Sequence, residues 1–470
     1  MARHASKVVA PKAKPAYNWT TMSRKEKIAL GRSLRKEVNR IGHGGWVTPK
    51  NRRDPIDILI ESSKGRLENL IPIRYGRMMQ SPFAFYRGTA SIMASDLATT
   101  SSTGIYVQAC GDCHLLNFGS YSTPERRIIF DINDFDETLE APWEWDIKRL
   151  AASFIIAALH NNFSKEDAME CVTECVLSYS RHIKEYSEMD PLKIWYAYIS
   201  SDDILRLAKN EEASKRYRKQ IEKAAGKSAI DADFPKLATM KNGKAVIKDA
   251  PPLIFHYDNI DLKADRKLLD DAFNQYLLSL GAEKKRLLEN YEFHDLAAKV
   301  VGVGSVGTRC GITLRMTPDN EPLFLQVKEA RASVLEPYVG KNKYKNQGER
   351  VVVGQKMMQA ATDIFLGWTE LNNGGHFYIR QLRDMKIKPL VEIFDAEQMK
   401  GYARLCGWTL ARAHARSGCS AVISGYLGSG EKFADAITNF AVDYAIQNDK
   451  DYEALKDAVR KLRIEVFIEA

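Results

Sequence analysis

Apolar residues recur at helical spacing through most of this chain, and a few short alternating runs interrupt that rhythm as strands. Ser23 to Asn39 reads as an amphipathic helix capped by Ser23, and Asp57 to Leu70 as a second, with Ile58, Leu59, Leu67 and Leu70 as its core positions. Thr89 to Ala98 predicts a small-residue helix, and Trp143 opens an apolar helix running to about Leu159. Helical spacing continues over 165–225, 262–290, Glu349 to Ile364, Ala396 to Ala415 and 431–464. Strand-like runs are Ile105 to Val107, Arg127 to Ile132, Cys310 to Met316, Leu323 to Lys328 and Phe377 to Leu382. Phe234 to His256 predicts a hairpin around Asn242-Gly243. The pattern implies an α+β chain: a basic head over 1–40, a helical lobe over 41–290, a small antiparallel β lobe over 291–392, and C-terminal helices over 393–470 that pack back on the helical lobe. No internal repeat or low-complexity segment interrupts it.

At 470 residues and 45% hydrophobic content, the chain can bury one large core or two ordinary ones. No apolar run is long enough to span a bilayer, and Met1 to Pro15 lacks the apolar stretch of a secretory signal. The formal charge is +9, and residues 1–60 alone hold 14 Lys/Arg against 4 Asp/Glu. That basic head reads as a solvated tail and exposed helix more readily than as a nucleic-acid or anionic-lipid contact. Seven unevenly spaced cysteines suit a reduced, cytoplasmic compartment. Cys110-x-x-Cys113-His114 matches a c-type haem attachment string, but that chemistry requires export. Zinc would need a second ligand pair, which no recognisable spacing supplies.

The chemistry concentrates in Cys110 to Gly119 and Ile128 to Asp136. Asp112 and Asn117 lie five positions apart, and a strand then ends in Asp134-Phe135. Kinases place a base, one metal ligand and a second metal ligand around a nucleotide with this spacing. Asp112 is the candidate to face the acceptor hydroxyl, and Asn117, Asp134 and Asp136 are the candidates for magnesium, with Asp131 an alternative ligand. A second set follows far downstream. Gly302-Val303-Gly304-Ser305-Val306-Gly307 precedes two strands, the second ending in Lys328. A dinucleotide-binding unit would continue into a helix, whereas a glycine-rich hairpin followed by a strand lysine is how kinases cover and neutralise phosphates. Glu349 is the candidate helix glutamate for Lys328, and the strand through Gln381 is the candidate edge beside the adenine. Arg74, Arg77 and Arg87, interleaved with aromatics, could clamp a phosphate or pair with carboxylates of the central loop.

Taken together, Pro72 to Met78, Ser81 to Gly88, Cys110-Gly111-Asp112, Asn133 to Asp136 and Val301 to Arg309 resemble a bacterial family known as domain of unknown function 2252. The resemblance runs from about Gly31 to the end. That family is grouped with the protein-kinase-like superfamily, near the aminoglycoside and choline kinases. It implies a bilobal kinase-like fold, with Asp112 as catalytic aspartate, Asn117 and Asp134 as metal ligands, and Lys328 beneath a loop of Gly302, Gly304 and Gly307. It also implies that Asp146 opens the helix that buttresses the catalytic loop. The sequence departs from ordinary kinases in having Asp136 where glycine follows Asp-Phe, and in a slightly longer hairpin. Its motif order is also inverted, as a circular permutation would leave it. The expectation is an ATP- and magnesium-dependent phosphotransferase acting on an unknown hydroxyl-bearing acceptor. Nucleotidyl (AMP) transfer and an inactive nucleotide-binding regulator are the alternatives. No recognition motif points to nucleic acid.

Overall fold

The computed structural model describes residues 19–207, 211–225, 234–241, 243–256, 266–300, 302–372, 374–382 and 386–469. The Met1–Pro15 tail, Asn242 and Val301 lie outside them. Strands are β1 (Tyr106–Ala109), β2 (Phe118–Ser122), β3 (Ile128–Ile132), β4 (Leu139–Pro142), β5 (Ile199–Ser200), β6 (Ala238–Lys241), β7 (Lys244–Ile247), β8 (Ile254–Phe255), β9 (Glu292–Lys299), β10 (Cys310–Met316), β11 (Pro322–Glu329), β12 (Gly367–Glu370) and β13 (His376–Gln381). Helices fill most of the remainder, so the chain is mixed α and β with antiparallel sheets.

One sheet runs in the order β12-β13-β11-β10-β9-β8, with its pairs antiparallel. Strand periodicity sorts its side chains. On β11, Leu323, Leu325 and Val327 turn toward Tyr276 and Phe365. Phe324, Gln326 and Lys328 take the opposite face, and all three line a cleft. The β6–β7 hairpin packs Ala245 and Ile247 against Ile312 and Leu314. The sheet therefore draws in residues well ahead of position 291, where the β lobe was expected to begin.

The helical core is continuous and centres on the Trp143–His160, Lys165–Glu188, Ala396–Ser417 and Glu431–Arg460 helices. Trp143, fully buried, stacks on Tyr179 with ring centroids 5.8 Å apart. The C-terminal helices join this core, as the sequence suggests. Ser23 caps the first helix with a capping box to Glu26, but regular α-helix ends at Ser33.

Three expected helices are shorter than the apolar spacing suggests. Asp57 to Leu70 divides into Pro55–Ser63 and a 3-10 turn at Glu68–Leu70, because Gly65 takes φ +76° between them. The 262–290 stretch divides into Arg266–Leu278 and Ala282–Leu288, with Gly281 extended at the second N-terminus. Glu349 to Ile364 is instead Gln347–Met358. There Asn346 caps the Gly348 and Glu349 amides, while past Met358 the Ala360 amide leaves the helix to donate to Asp131 at 2.9 Å.

Two buried histidines give the fold a signed pH dependence. Burial, then the nearby Lys148 cation, pulls His43 down to about 3, and burial with Arg87 and Arg149 pulls His114 well below its ordinary value. The unfolded chain takes up these protons near pH 6.5 and the folded chain does not. Their stabilising contribution is therefore complete above pH 6.5 and is lost as pH falls below it, for His43 down to about 3. Each should cost about 1.4 kcal/mol per pH unit below 6.5. A series of Tm values from pH 7 to 5 should fall, and His43→Gln, which keeps a partner for the Tyr426 hydroxyl 2.7 Å away, should flatten that slope by about one proton.

Candidate active site

The loop after β1 is held from below. Asp146, in the first turn of the Trp143–His160 helix, accepts the Cys110 amide at 2.7 Å and the Gly111 amide at 3.0 Å. His414 stands 3.2 Å from the same carboxylate and 2.9 Å from the Tyr179 hydroxyl. Asp146 thus buttresses the loop in the way expected of it. Gly111 adopts φ +85°, and a Cβ there would lie 2.4 Å from the Glu137 carbonyl oxygen, so the turn into Asp112 requires glycine. Asn117 Nδ2 donates to the Asp112 carbonyl at 2.6 Å and closes the loop.

Asp112 itself is fixed by a residue the sequence reading missed. Arg149 donates from Nε at 2.9 Å and Nη2 at 2.6 Å to one carboxylate oxygen, Oδ1, while its own side chain is buried. The other oxygen, Oδ2, lies 3.9 Å from where a Cβ would stand on Gly304, under the glycine loop. Asp146, Arg149 and Ser153, whose hydroxyl accepts the Leu115 amide, recur at helical spacing. Three polar residues on one stripe of a mostly apolar helix, apart from Glu144, Lys148 and His160, were the available signal.

Across the cleft, residues far apart in the sequence meet. Lys328 Nζ donates to Asp136 Oδ2 at 2.7 Å, although 192 residues separate them, and stands 3.7 Å from Asp134 Oδ1. Burial opposes the lysine cation, but Asp134 and Asp136 hold its ammonium well above the ordinary lysine range. Asp136 is half-buried, which opposes its charge, yet Lys328 and the Tyr378 hydroxyl at 2.6 Å bring it down to about 2. Ser305 donates to the same carboxylate at 2.9 Å and so ties the glycine loop to it. Asp136 therefore takes the place beside Lys328 that Glu349 was expected to fill. Tyr378 sits opposite Lys328 in register, and Arg380, two residues on, bonds the Gln326 amide oxygen at 3.1 Å. A strand pairing next to the lysine was readable in outline, but its polar alternation was not given a role.

The acidic candidates separate by environment. Asp131 is fully buried, paired with Arg412 at 2.6 Å and bonded to the Ile132 and Ala360 amides, so it cannot reach a ligand in the cleft. Asp134 is raised by burial and by the neighbouring Asp136 charge, and its Oδ1 has no hydrogen-bond partner. An orphaned carboxylate oxygen in the cleft that Asn117 also lines suits a hard cation that takes its other ligands from phosphates and water. Among the described residues, no three His, Cys, Asp or Glu side chains gather to hold a metal by themselves. The seven cysteines are all free and buried.

The glycines also fit a ligand. Gly307 needs its φ of +84°, whereas a Cβ on Gly302 would meet nothing within 4 Å and one on Gly304 nothing closer than 3.6 Å. Those two positions are not glycine for lack of room within the chain; they leave space over the cleft. The cleft encloses about 1140 Å³, enough for a nucleotide and a second small molecule. Gln381 lines it, but its backbone N–H donates to Asp363 and the next amide, Leu382, to Phe324 at 2.9 Å. Those two donors are thus not open to an adenine edge.

Of the three arginines singled out in the sequence, Arg77 pairs with Glu469 at 2.5 Å, and Arg74 and Arg87 line the cleft. Glu137, also lining it, is pushed up to about 7, chiefly by burial. No described helix is long and apolar enough to cross a membrane. A family model described as an uncharacterized protein conserved in bacteria (DUF2252) matches residues 66–458. No curated protein and no solved structure matches the chain.

Proposed function

The chain belongs to the DUF2252 family, over a match that takes in both halves of the cleft, and on the geometry of that cleft we propose that it is a phosphotransferase of kinase-like fold with permuted motif order, using ATP and magnesium. The observation that carries this reading is the meeting of Lys328 with Asp134 and Asp136 beneath the glycine loop, in the cleft that also holds Asp112 and Asn117. Topology supports it as well. The glycine loop joins the first two strands of the unit β9, β10, β11, the lysine lies on the third, and the Gln347–Met358 helix follows. That is the order in which kinases carry these parts.

Each residue then has a task. Lys328 neutralises phosphate charge, and the backbone of Gly302 to Gly307 covers the phosphates. Asp134 and Asn117 would hold magnesium, which when bound spreads the negative charge of the transferring group. Asp112, held by Arg149 through one oxygen, orients the acceptor hydroxyl with the other and takes its proton as the oxygen bonds to the γ-phosphorus. The bond from the γ-phosphorus to the β–γ bridging oxygen breaks, and ADP leaves with that electron pair. Most of the rate gain in such a site comes from position and charge rather than covalent chemistry.

Incubation of the full chain with ATP, magnesium and a small-molecule extract, followed by mass spectrometry, tests the reaction type. A product heavier by one phosphoryl group, with ADP formed, is expected. AMP transferred to a product would redirect the proposal to nucleotidyl transfer, and no product with any extract fraction would count against turnover.

A further inference from the structure

Four of the arginines lining the cleft that also holds Asp112 are Arg66, Arg74, Arg87 and Arg331. Arg66, Arg74 and Arg331 are positioned by neutral oxygens. Arg66 donates to the Ser62 carbonyl at 3.1 Å and the Val306 carbonyl at 2.6 Å. Arg74 donates to the hydroxyls of Ser63 and Ser62 at 2.8 and 3.2 Å and to the Gly88 carbonyl at 3.1 Å. Arg331 reaches the Ser62 carbonyl at 3.4 Å and the Lys64 carbonyl. Arg74 is only 2% exposed, and its Nε, like that of Arg87, is buried without a partner.

Three buried arginines elsewhere meet counter-ions, whereas Arg350 is held by the Gln347 amide oxygen and the Thr138, Asp136 and Arg331 carbonyls alone. Arg52 meets Asp96 and Asp451, Arg149 meets Asp112, and Arg412 meets Asp131. The four cleft arginines have no carboxylate within ion-pair distance among the described residues. Burial, and then the charges of Arg74 and Arg331, pull Arg66 well below its ordinary value. Gathering like charges at a partly desolvated surface is costly unless an anion completes the site.

That anion need not be the nucleotide. Lys328 and the open glycines stand ready for its phosphates, whereas the arginines come from segments before β1 and after β11. The Arg87 carbonyl lies on the Asp112 side of the loop, 3.6 Å from the Cβ position of Gly304. Resting on the phosphotransferase reading, we infer that the acceptor is itself an anion, a hydroxyl compound bearing a phosphate or carboxylate, whose negative group docks on Arg66, Arg74, Arg87 and Arg331 while its hydroxyl faces Asp112. Guanidinium forks favour such planar or tetrahedral oxyanions.

The test uses the full-length chain with glycerol 3-phosphate as probe and glycerol as its neutral counterpart. Binding is read by calorimetry with and without a saturating non-hydrolysable ATP analogue and magnesium. Arg87→Gln and Arg331→Gln are compared with wild type, with circular dichroism to confirm folding; both side chains are partly exposed, so neither loss should unfold the chain. Glycerol 3-phosphate should bind and glycerol should not. Each variant should weaken the probe at least tenfold while changing the analogue's affinity less than twofold. Equal responses to the two probes, including none to either, would overturn the inference. So would displacement of the probe by the analogue, since the arginines would then serve the nucleotide. If the analogue fails to bind wild type but the probe still binds through the arginines, the nucleotide reading falls and the anion site stands.

Discussion

Lys328→Met is expected to abolish the rise in Tm that ATP with magnesium gives the wild-type chain. A ligand bound only by the native state stabilises it by mass action, by about 2.7 kcal/mol at one hundred times Kd. Lys328 is the cation that meets the phosphates in this proposal, and methionine keeps its length without its charge. The substitution has a second consequence. Lys328 sits between Asp134 and Asp136, and removing it leaves two neighbouring carboxylates with Arg380 as the nearest compensation. The variant's Tm without ligand should therefore fall as well. Both carboxylates retain contact with solvent, so this loss should be smaller than that of breaking a fully buried pair. Differential scanning fluorimetry with and without ATP–magnesium separates the effects. A ligand-induced shift as large in the variant as in wild type would put the nucleotide elsewhere.

Asp112→Asn and Asp134→Asn are expected to fail differently. Asp134 carries the orphaned oxygen, and an amide there weakens a hard-cation site, so binding of ATP–magnesium and turnover should fall together. Asp112 is committed to Arg149 through one oxygen and is free toward the cleft with the other. Its amide variant should keep ATP–magnesium affinity and lose roughly two to four orders of magnitude in rate. It should also lose some stability, because Arg149 is buried and would face a neutral partner. Calorimetry beside a turnover assay checks the division. The reverse pattern, with metal–nucleotide binding lost in Asp112→Asn and kept in Asp134→Asn, would exchange the two roles.

The parts legible in the sequence are those fixed by local spacing. The five-residue interval from Asp112 to Asn117 closes a loop through one hydrogen bond from the Asn117 amide, and the alternation before Lys328 fixes which face of β11 it takes. Asp146 was legible through the resemblance, as the aspartate opening the helix after the hairpin. The partners that depend on tertiary packing were not. Nothing local distinguishes Asp131, which packs into the core with Arg412, from Asp134 three residues on, which reaches the cleft. Helical spacing placed Glu349 correctly in a first turn but could not show that Asp136, from the distant hairpin, stands beside Lys328. Nor could it separate Arg77, which pairs with Glu469, from Arg74 and Arg87 in the cleft wall.

The central claim is that a metal–nucleotide occupies the cleft between Lys328 and Asp134. A crystal structure with a non-hydrolysable ATP analogue and manganese in place of magnesium, located by its anomalous signal, tests it most directly. The expected result is manganese bonded to Asp134 and to phosphate oxygens, at about 2.1 Å or slightly more, with the Lys328 ammonium on the same phosphates and the Gly302–Gly307 backbone above them. An analogue bound outside the cleft, or within it but with no metal density at Asp134, would contradict the claim.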